Sequence, residues 1–105
     1  MILNTYEIVY ILKPDVTEDK NLQIVGEYKN LIYKNGGKNI FVQHRGRRHL
    51  SYNMAQYYDA IYVQMRFEGN GTLTKMIEKS MRFNENILRY LTVKQKSSLS
   101  ENIIV

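Results

Sequence analysis

The 105-residue chain contains no cysteine. Disulfides, thiolate catalysis and cysteine-based zinc sites are therefore excluded, and a reducing compartment fits. Proline occurs once, at Pro14. No apolar run approaches the roughly 20 residues that a membrane-spanning helix needs. The N-terminus has neither the basic and then apolar segments of a signal peptide nor the Arg-rich character of a transit peptide. If the protein works in an organelle, it is expected to be made there or to be shown in mature form. The last scarcity is local: from His44 to Tyr52 there is not one acidic side chain.

That stretch holds Arg45, Arg47 and Arg48, the imidazoles of His44 and His49, and the ring of Tyr52. Residues 1–36 carry four Lys against five Asp/Glu, a net of −1, and residues 37–66 carry five Lys/Arg against one Asp, a net of +4. Residues 67–105 add +2, so the excess of +5 lies mainly mid-chain. Guanidinium groups match phosphate oxygens with a planar fork and stack on bases. A local Arg cluster in a small basic domain is the footprint of a nucleic-acid binder. The competing reading is a solvated strand edge, kept charged against edge-to-edge pairing.

Hydrophobic periodicity places six elements. Thr5 to Leu12 is β-rich and apolar with one charge at Glu7, and reads as a central strand buried on both faces. Lys13-Pro14-Asp15 ends it, because proline lacks an amide hydrogen. Asp15 or Thr17 can cap a helix, and Asp15 with Glu18 has capping-box spacing. Leu22, Val25, Tyr28 and Ile32 predict its apolar face, and Gly36-Gly37 its end. Asn39 to Tyr52 reads as a long strand with a bulge or bend at Gly46, followed by a polar turn at Asn53 to Gln56. Tyr57 to Phe67 alternates: Ile61, Val63, Met65 and Phe67 predict a core face. Tyr58, Ala60, Tyr62, Gln64 and Arg66 predict a face that is open or meets a partner. After a turn at Gly69-Asn70-Gly71, Thr72 can cap a second helix with Leu73, Met76, Ile77 and Ser80 on its face. Ile87 to Lys94 reads as the last strand.

The order β-α-β-β-α-β, with right-handed crossovers, predicts an α+β ferredoxin-like sandwich: a four-stranded antiparallel sheet with two helices on one face. One domain is expected over residues 1–95, and residues 96–105 read as a flexible C-terminal tail ending in Ile103, Ile104 and Val105.

Chemistry is sparse. His44 and His49 are five apart, which on a regular strand puts them on opposite faces, and no carboxylate stands nearby in sequence as a third ligand. A bulge at Gly46 could restore a common face. Asp15, Glu18 and Asp19 suit a helix dipole better than acid–base work. Gly69-Asn70-Gly71 lacks the phosphate-loop pattern and its lysine. Ser51 and Ser80 have no His–Asp partners. No metal, cofactor or catalytic residue is expected. The methionines read as core filler, and buried tyrosines are expected to satisfy their hydroxyls.

Four segments together carry a resemblance: Tyr6-Glu7-Ile8 opening the first strand, Lys13-Pro14-Asp15 after it, Gly46-Arg47-Arg48-His49-Leu50-Ser51-Tyr52, and Met81-Arg82-Phe83-Asn84-Glu85-Asn86-Ile87-Leu88-Arg89. Over residues 5 to about 96 the chain resembles the bacterial-type small-subunit ribosomal protein number six, whose motifs are G-R-R-x-L-A-Y and R-F-N-(D/E)-x-(V/I)-(I/L)-R. It departs at Asn53, where the family often has proline, and lacks the acidic C-terminal extension of some members. The resemblance implies a structural, non-catalytic role: binding the central domain of small-subunit rRNA as a heterodimer with small-subunit protein eighteen. The residues expected to meet RNA are Arg45, Arg47, Arg48 and His49, and more weakly Arg82, Arg89 and Lys94. Those expected to meet the protein partner are Tyr52, Tyr58, Tyr62, Ile103, Ile104 and Val105.

Phe67-Glu68-Gly69-Asn70-Gly71 is similar to cyanobacterial and plastid members. Ile, Asn, Lys and Tyr supply 39 of 105 residues, a bias of AT-rich genomes. A ribosome in the plastid stroma is therefore expected, with the cyanobacterial cytoplasm as alternative. The runner-up function is a free-standing single-stranded RNA binder of the RNA-recognition-motif kind, stacking bases on Tyr10, Tyr62 and Phe67. A ligand-sensing or enzymatic ferredoxin-like domain would need a convergent polar pocket, and none is visible in the sequence.

Overall fold

The computed structural model describes residues 3–54 and 57–95, with side chains to residue 50 and again from residue 57. The elements are β1 (Asn4–Leu12), α1 (Glu18–Lys34), β2 (Lys38–Met54), β3 (Tyr57–Gly69), α2 (Gly71–Arg82) and β4 (Ile87–Lys94). The sheet order is β2-β3-β1-β4 and every pairing is antiparallel. Both helices cover one face, giving the expected ferredoxin-like β-α-β-β-α-β fold.

Strand alternation builds the core. Tyr6, Ile8, Tyr10 and Leu12 of β1 and Val63, Met65 and Phe67 of β3 point at the helices. There they meet Ile24, Val25, Tyr28 and Ile32 of α1 and Leu73, Ile77 and Met81 of α2. Each such side chain contributes about 1.5–3 kcal/mol on burial. β1 is central, as its composition implies, but it is not buried on both faces. Ile11 is buried on the far side, while Glu7 and Val9 are only half-buried because no helix covers them.

Several local expectations need correction. Thr17 caps α1, its hydroxyl accepting from the Lys20 amide at 3.1 Å. Asp15 does not form the capping box, because Lys13 to Val16 is a turn closed by the Val16 amide on the Lys13 carbonyl at 3.2 Å. Leu22 is 54% exposed, and the buried row is Asn21, Ile24, Val25, Tyr28 and Ile32. Leu22 sits one residue, about 100° of helix, off that row. For α2 the cap is Asn70, whose Oδ1 accepts from the Leu73 amide at 2.8 Å, so Thr72 already lies inside the first turn. The buried face of α2 is Leu73, Thr74, Ile77 and Met81, with Met76 and Ser80 turned outward.

β2 runs through Asn53 to Met54, which pairs with Tyr57, so the polar turn is shorter than expected and residues 55–56 lie outside the described residues. β3 continues two residues beyond Phe67. A Cβ at Gly37 would overlap Ile32 and Leu73, so this glycine permits the close passage from α1 into β2. The expectation that buried tyrosines satisfy their hydroxyls fails at Tyr10 and Tyr28. The rings of Tyr10 and Tyr28 meet edge-on at 5.9 Å, yet neither hydroxyl has a partner among the described residues. Burial, and then the neighbouring Tyr28, push the Tyr10 phenol up. Burial of each ring, about 1.5–3 kcal/mol, with about 0.5–1.5 kcal/mol more for the edge-on pair, offsets the roughly 1–3 kcal/mol cost of an unmade hydrogen bond.

Candidate nucleic-acid interface

Gly46 governs how the basic segment is presented. Its φ is +82°, a conformation glycine adopts without strain. Between His44, opposite Val63, and Gly46, opposite Tyr62, the β2–β3 register shifts by one residue. Arg45 is the extra residue of a bulge. On a regular strand Arg45 and Arg48, three apart, would face opposite sides. The bulge re-phases the strand and brings both to the face that the helices leave open.

There the Arg45 guanidinium clasps Gln64 of β3, with Nε and Nη2 donating to Oε1 at 3.0 and 2.7 Å. Arg48 lies opposite Ala60 and has no hydrogen bond or ion pair among the described residues. His49 Nδ1 stands 3.1 Å from Asp59 Oδ1 across the hairpin. Arg45, Arg48 and His49 line a shallow cleft of about 460 Å³ with Val9, Tyr62 and Gln64. Beside it Ile11, Leu50 and Ala60 form a second small core, with Tyr62 and Leu88 packed on it. Ala60, expected on an open or partner-meeting face, is in fact fully buried there.

Arg47 departs from its neighbours. It pairs with Ile61 of the core-facing row, and its Nη2 donates to the Pro14 carbonyl at 2.9 Å. Its charge therefore ties β2 to the loop after β1. Arg82 is exposed near the end of α2. Arg89, opposite Ile11, and Lys94, opposite Tyr6, lie on β4 at the other edge of the sheet. The structure thus gathers Arg45, Arg48 and His49 and leaves Arg47, Arg82, Arg89 and Lys94 elsewhere.

The bulge also gives His44 and His49 the same strand parity, opposite Val63 and Asp59. Four positions of β3 separate those partners, about 13 Å at 3.3 Å per residue, so the imidazoles cannot share an ion. His44 lines a different cleft with Glu18, Asn21 and Leu22. Among the described residues no group of three His, Asp or Glu could hold a metal.

Of the residues assigned to a protein partner, Tyr58 is 66% exposed and shares the open face with Tyr62. The Tyr52 side chain and Ile103, Ile104 and Val105 lie outside the described residues. Val9 is a cleft residue that sequence reasoning did not single out, and Gln64 was placed on the open face by alternation but given no role. Asp59 is the acid it missed beside the basic segment. The signal for Val9 and Asp59 is the pairing of β3 with β1 and β2 rather than any spacing along the chain. The β4 side of the same face is apolar: Leu91, opposite Val9, is 64% exposed and Val93, opposite Glu7, 46%. Between the two halves, Arg66 Nη2 lies 3.3 Å from Glu7 Oε2.

Residues 5–94 match the family model described as ribosomal protein S6. The chain is 57% identical over 100 residues to small ribosomal subunit protein bS6c of Pyropia yezoensis, covering 95% of this chain and 92% of that one. It is 42% identical over 91 residues to bS6 of Trichodesmium erythraeum, covering 87% and 78%. The crystal structure of 30S ribosomal protein S6 from Thermotoga maritima superposes with a TM-score of 0.85 over 98% of this chain and 96% of that one, at 23% identity, and so shares the fold. No helix among the described residues is long and apolar enough to cross a membrane. The match over nearly the whole chain and the identity to these relatives establish that the chain belongs to the ribosomal protein S6 family of the small ribosomal subunit.

Proposed function

We propose that the protein binds the central domain of small-subunit rRNA together with small-subunit protein eighteen, as a non-catalytic structural component of a plastid ribosome. The observation that carries this reading is the division of the open sheet face. Its β2–β3 half presents Arg45 and Arg48 around a cleft that His49 also borders, and its β4 half presents exposed Leu91 and Val93. RNA backbone is held by guanidinium groups, with affinity that falls as salt rises. A protein partner suits the apolar half, where burial of Leu91 and Val93 rewards association. A folded RNA junction is recognised by shape, 2′-hydroxyls and protruding bases, because the A-form major groove is too narrow to read.

The plastid assignment is supported by relatives named bS6c from red algae, Pyropia yezoensis at 57% and Porphyra purpurea at 58% identity, against 42% for the cyanobacterial Trichodesmium erythraeum. The single-stranded RNA-binder reading loses its basis. Tyr10 and Phe67 are fully buried under the helices, which leaves Tyr62 alone of the three proposed stacking rings on the open face.

The test is gradient sedimentation of tagged protein from its own source, before and after a high-salt wash. Co-migration with small subunits through moderate salt, with cross-links to the central domain and to protein eighteen, is expected. Migration at the top of the gradient would refute the assignment.

A further inference from the structure

We propose that the cleft between β2 and β3 seats one unpaired ribonucleotide, its base on Tyr62 and Val9 and its phosphate between Arg45 and Arg48. The inference rests on the RNA-binding reading above and deepens it. Tyr62, which the sequence assigned to a protein partner, becomes the base-contacting residue.

Three features of the cleft select this occupant. First, the residue across from Tyr62 is Gly46, so no cross-strand side chain covers that flank of the half-buried ring. Second, the donors are arranged for an anion. Gln64 Oε1 takes the Nε and Nη2 protons of Arg45, which leaves Nη1 and the Gln64 amide NH₂ as donors. Arg48 adds a guanidinium with no partner among the described residues. Third, the volume of about 460 Å³ falls within the roughly 300–1,000 Å³ range of small-molecule sites.

An acidic protein side chain would satisfy the arginines. It would leave Tyr62 and Val9 without matching groups. An unpaired nucleotide answers both at once, by base–aromatic stacking and phosphate pairing.

The test uses small subunits reconstituted with the wild-type protein, Tyr62→Phe, Tyr62→Leu or Arg48→Ala. The rRNA is probed for base reactivity and for 2′-hydroxyl acylation. Tyr62→Leu keeps an apolar side chain against Ile11 and Ala60 but removes the stacking face. Arg48→Ala removes a side chain without folded-state partners among the described residues, so at least one variant folds. The wild type and Tyr62→Phe are expected to protect one unpaired nucleotide at both base and 2′-hydroxyl. Tyr62→Leu should weaken that protection roughly tenfold, as loss of one stacked base does, with co-sedimentation intact. Arg48→Ala should weaken it too. Unchanged protection in both Tyr62→Leu and Arg48→Ala overturns the proposal and leaves the ribosomal reading standing. A photoreactive side chain at position 62 that cross-links to protein instead of rRNA also overturns it. A wild-type protein that protects no rRNA nucleotide overturns the RNA-binding reading itself.

Discussion

The two faces of the sheet are made by the same strands and obey different rules. On the covered face Ile8, Tyr10, Val63, Met65 and Phe67 have no exposed surface. On the open face their alternating neighbours Glu7, Val9, Tyr62 and Gln64 are half-buried and Arg66 is exposed. Hydrophobic burial dominates the first, because α1 and α2 exclude water from it. The second holds only the small cluster of Ile11, Leu50 and Ala60, and its remaining contacts are clasps between long polar side chains, each worth little in water. Stability should therefore reside on one face and binding on the other, and substitutions can separate them.

The largest effect is expected from Phe67→Ala on the covered face. Phe67 stacks on Tyr6 at 5.9 Å and is fully buried, so truncation should destabilise the fold by about 3–5 kcal/mol in denaturant unfolding. A loss under 1 kcal/mol would mean that the covered face is not the source of stability. Gly46→Ala comes next. A side chain at a φ of +82° costs roughly 1–2 kcal/mol. The variant should escape that strain by losing the bulge, which turns Arg45 and Arg48 to opposite sides. Reduced stability and weaker subunit binding are expected together, and unchanged binding would separate the bulge from the interface.

Asn70→Ala should lose about 1 kcal/mol as a helix cap, and Thr72→Ala less than about 0.5 kcal/mol, as at an ordinary surface position. Parallel thermal melts compare them, and a reversed order would move the cap. The smallest stability effect is predicted for Arg45→Ala combined with Arg48→Ala, within about 0.5 kcal/mol by denaturant unfolding. Its binding effect should be large: the log–log salt slope should fall by roughly 0.7–0.9 for each phosphate contact removed. A folded double variant with an unchanged slope would take RNA off this half of the open face.

The contrast with Arg47 shows how far the basic segment could be read in advance. Arg45, Arg47 and Arg48 are alike along the chain, and all three stood as RNA ligands. Bulge and register divide them, because a one-residue shift moves a side chain to the other face. Arg47 then spends its guanidinium on the Pro14 carbonyl. Tyr62 was placed on the correct face of β3 by alternation. Its company in the cleft depends on which residues of β1 and β2 lie beside it, and no local pattern encodes that. Leu22 and Met76 were misassigned for a related reason: a helix turns about 100° per residue, and only the sheet beneath decides which row is buried.

The sequence by itself determined the element order, the centrality of β1, the span of β4 from Ile87 to Lys94 and the interruption at Gly46. These follow from periodicity, breakers and caps, which act over a few residues. Its motifs also determined the family. Tertiary structure alone decided that Arg45 and Arg48 share a cleft with Val9, Tyr62 and Gln64, that Arg47 is tied to the loop after β1, and that Asp59 sits beside His49. Those neighbours lie 10 to 39 residues apart in the chain, and strand pairing, which brings distant segments to within about 5 Å, sets which of them meet.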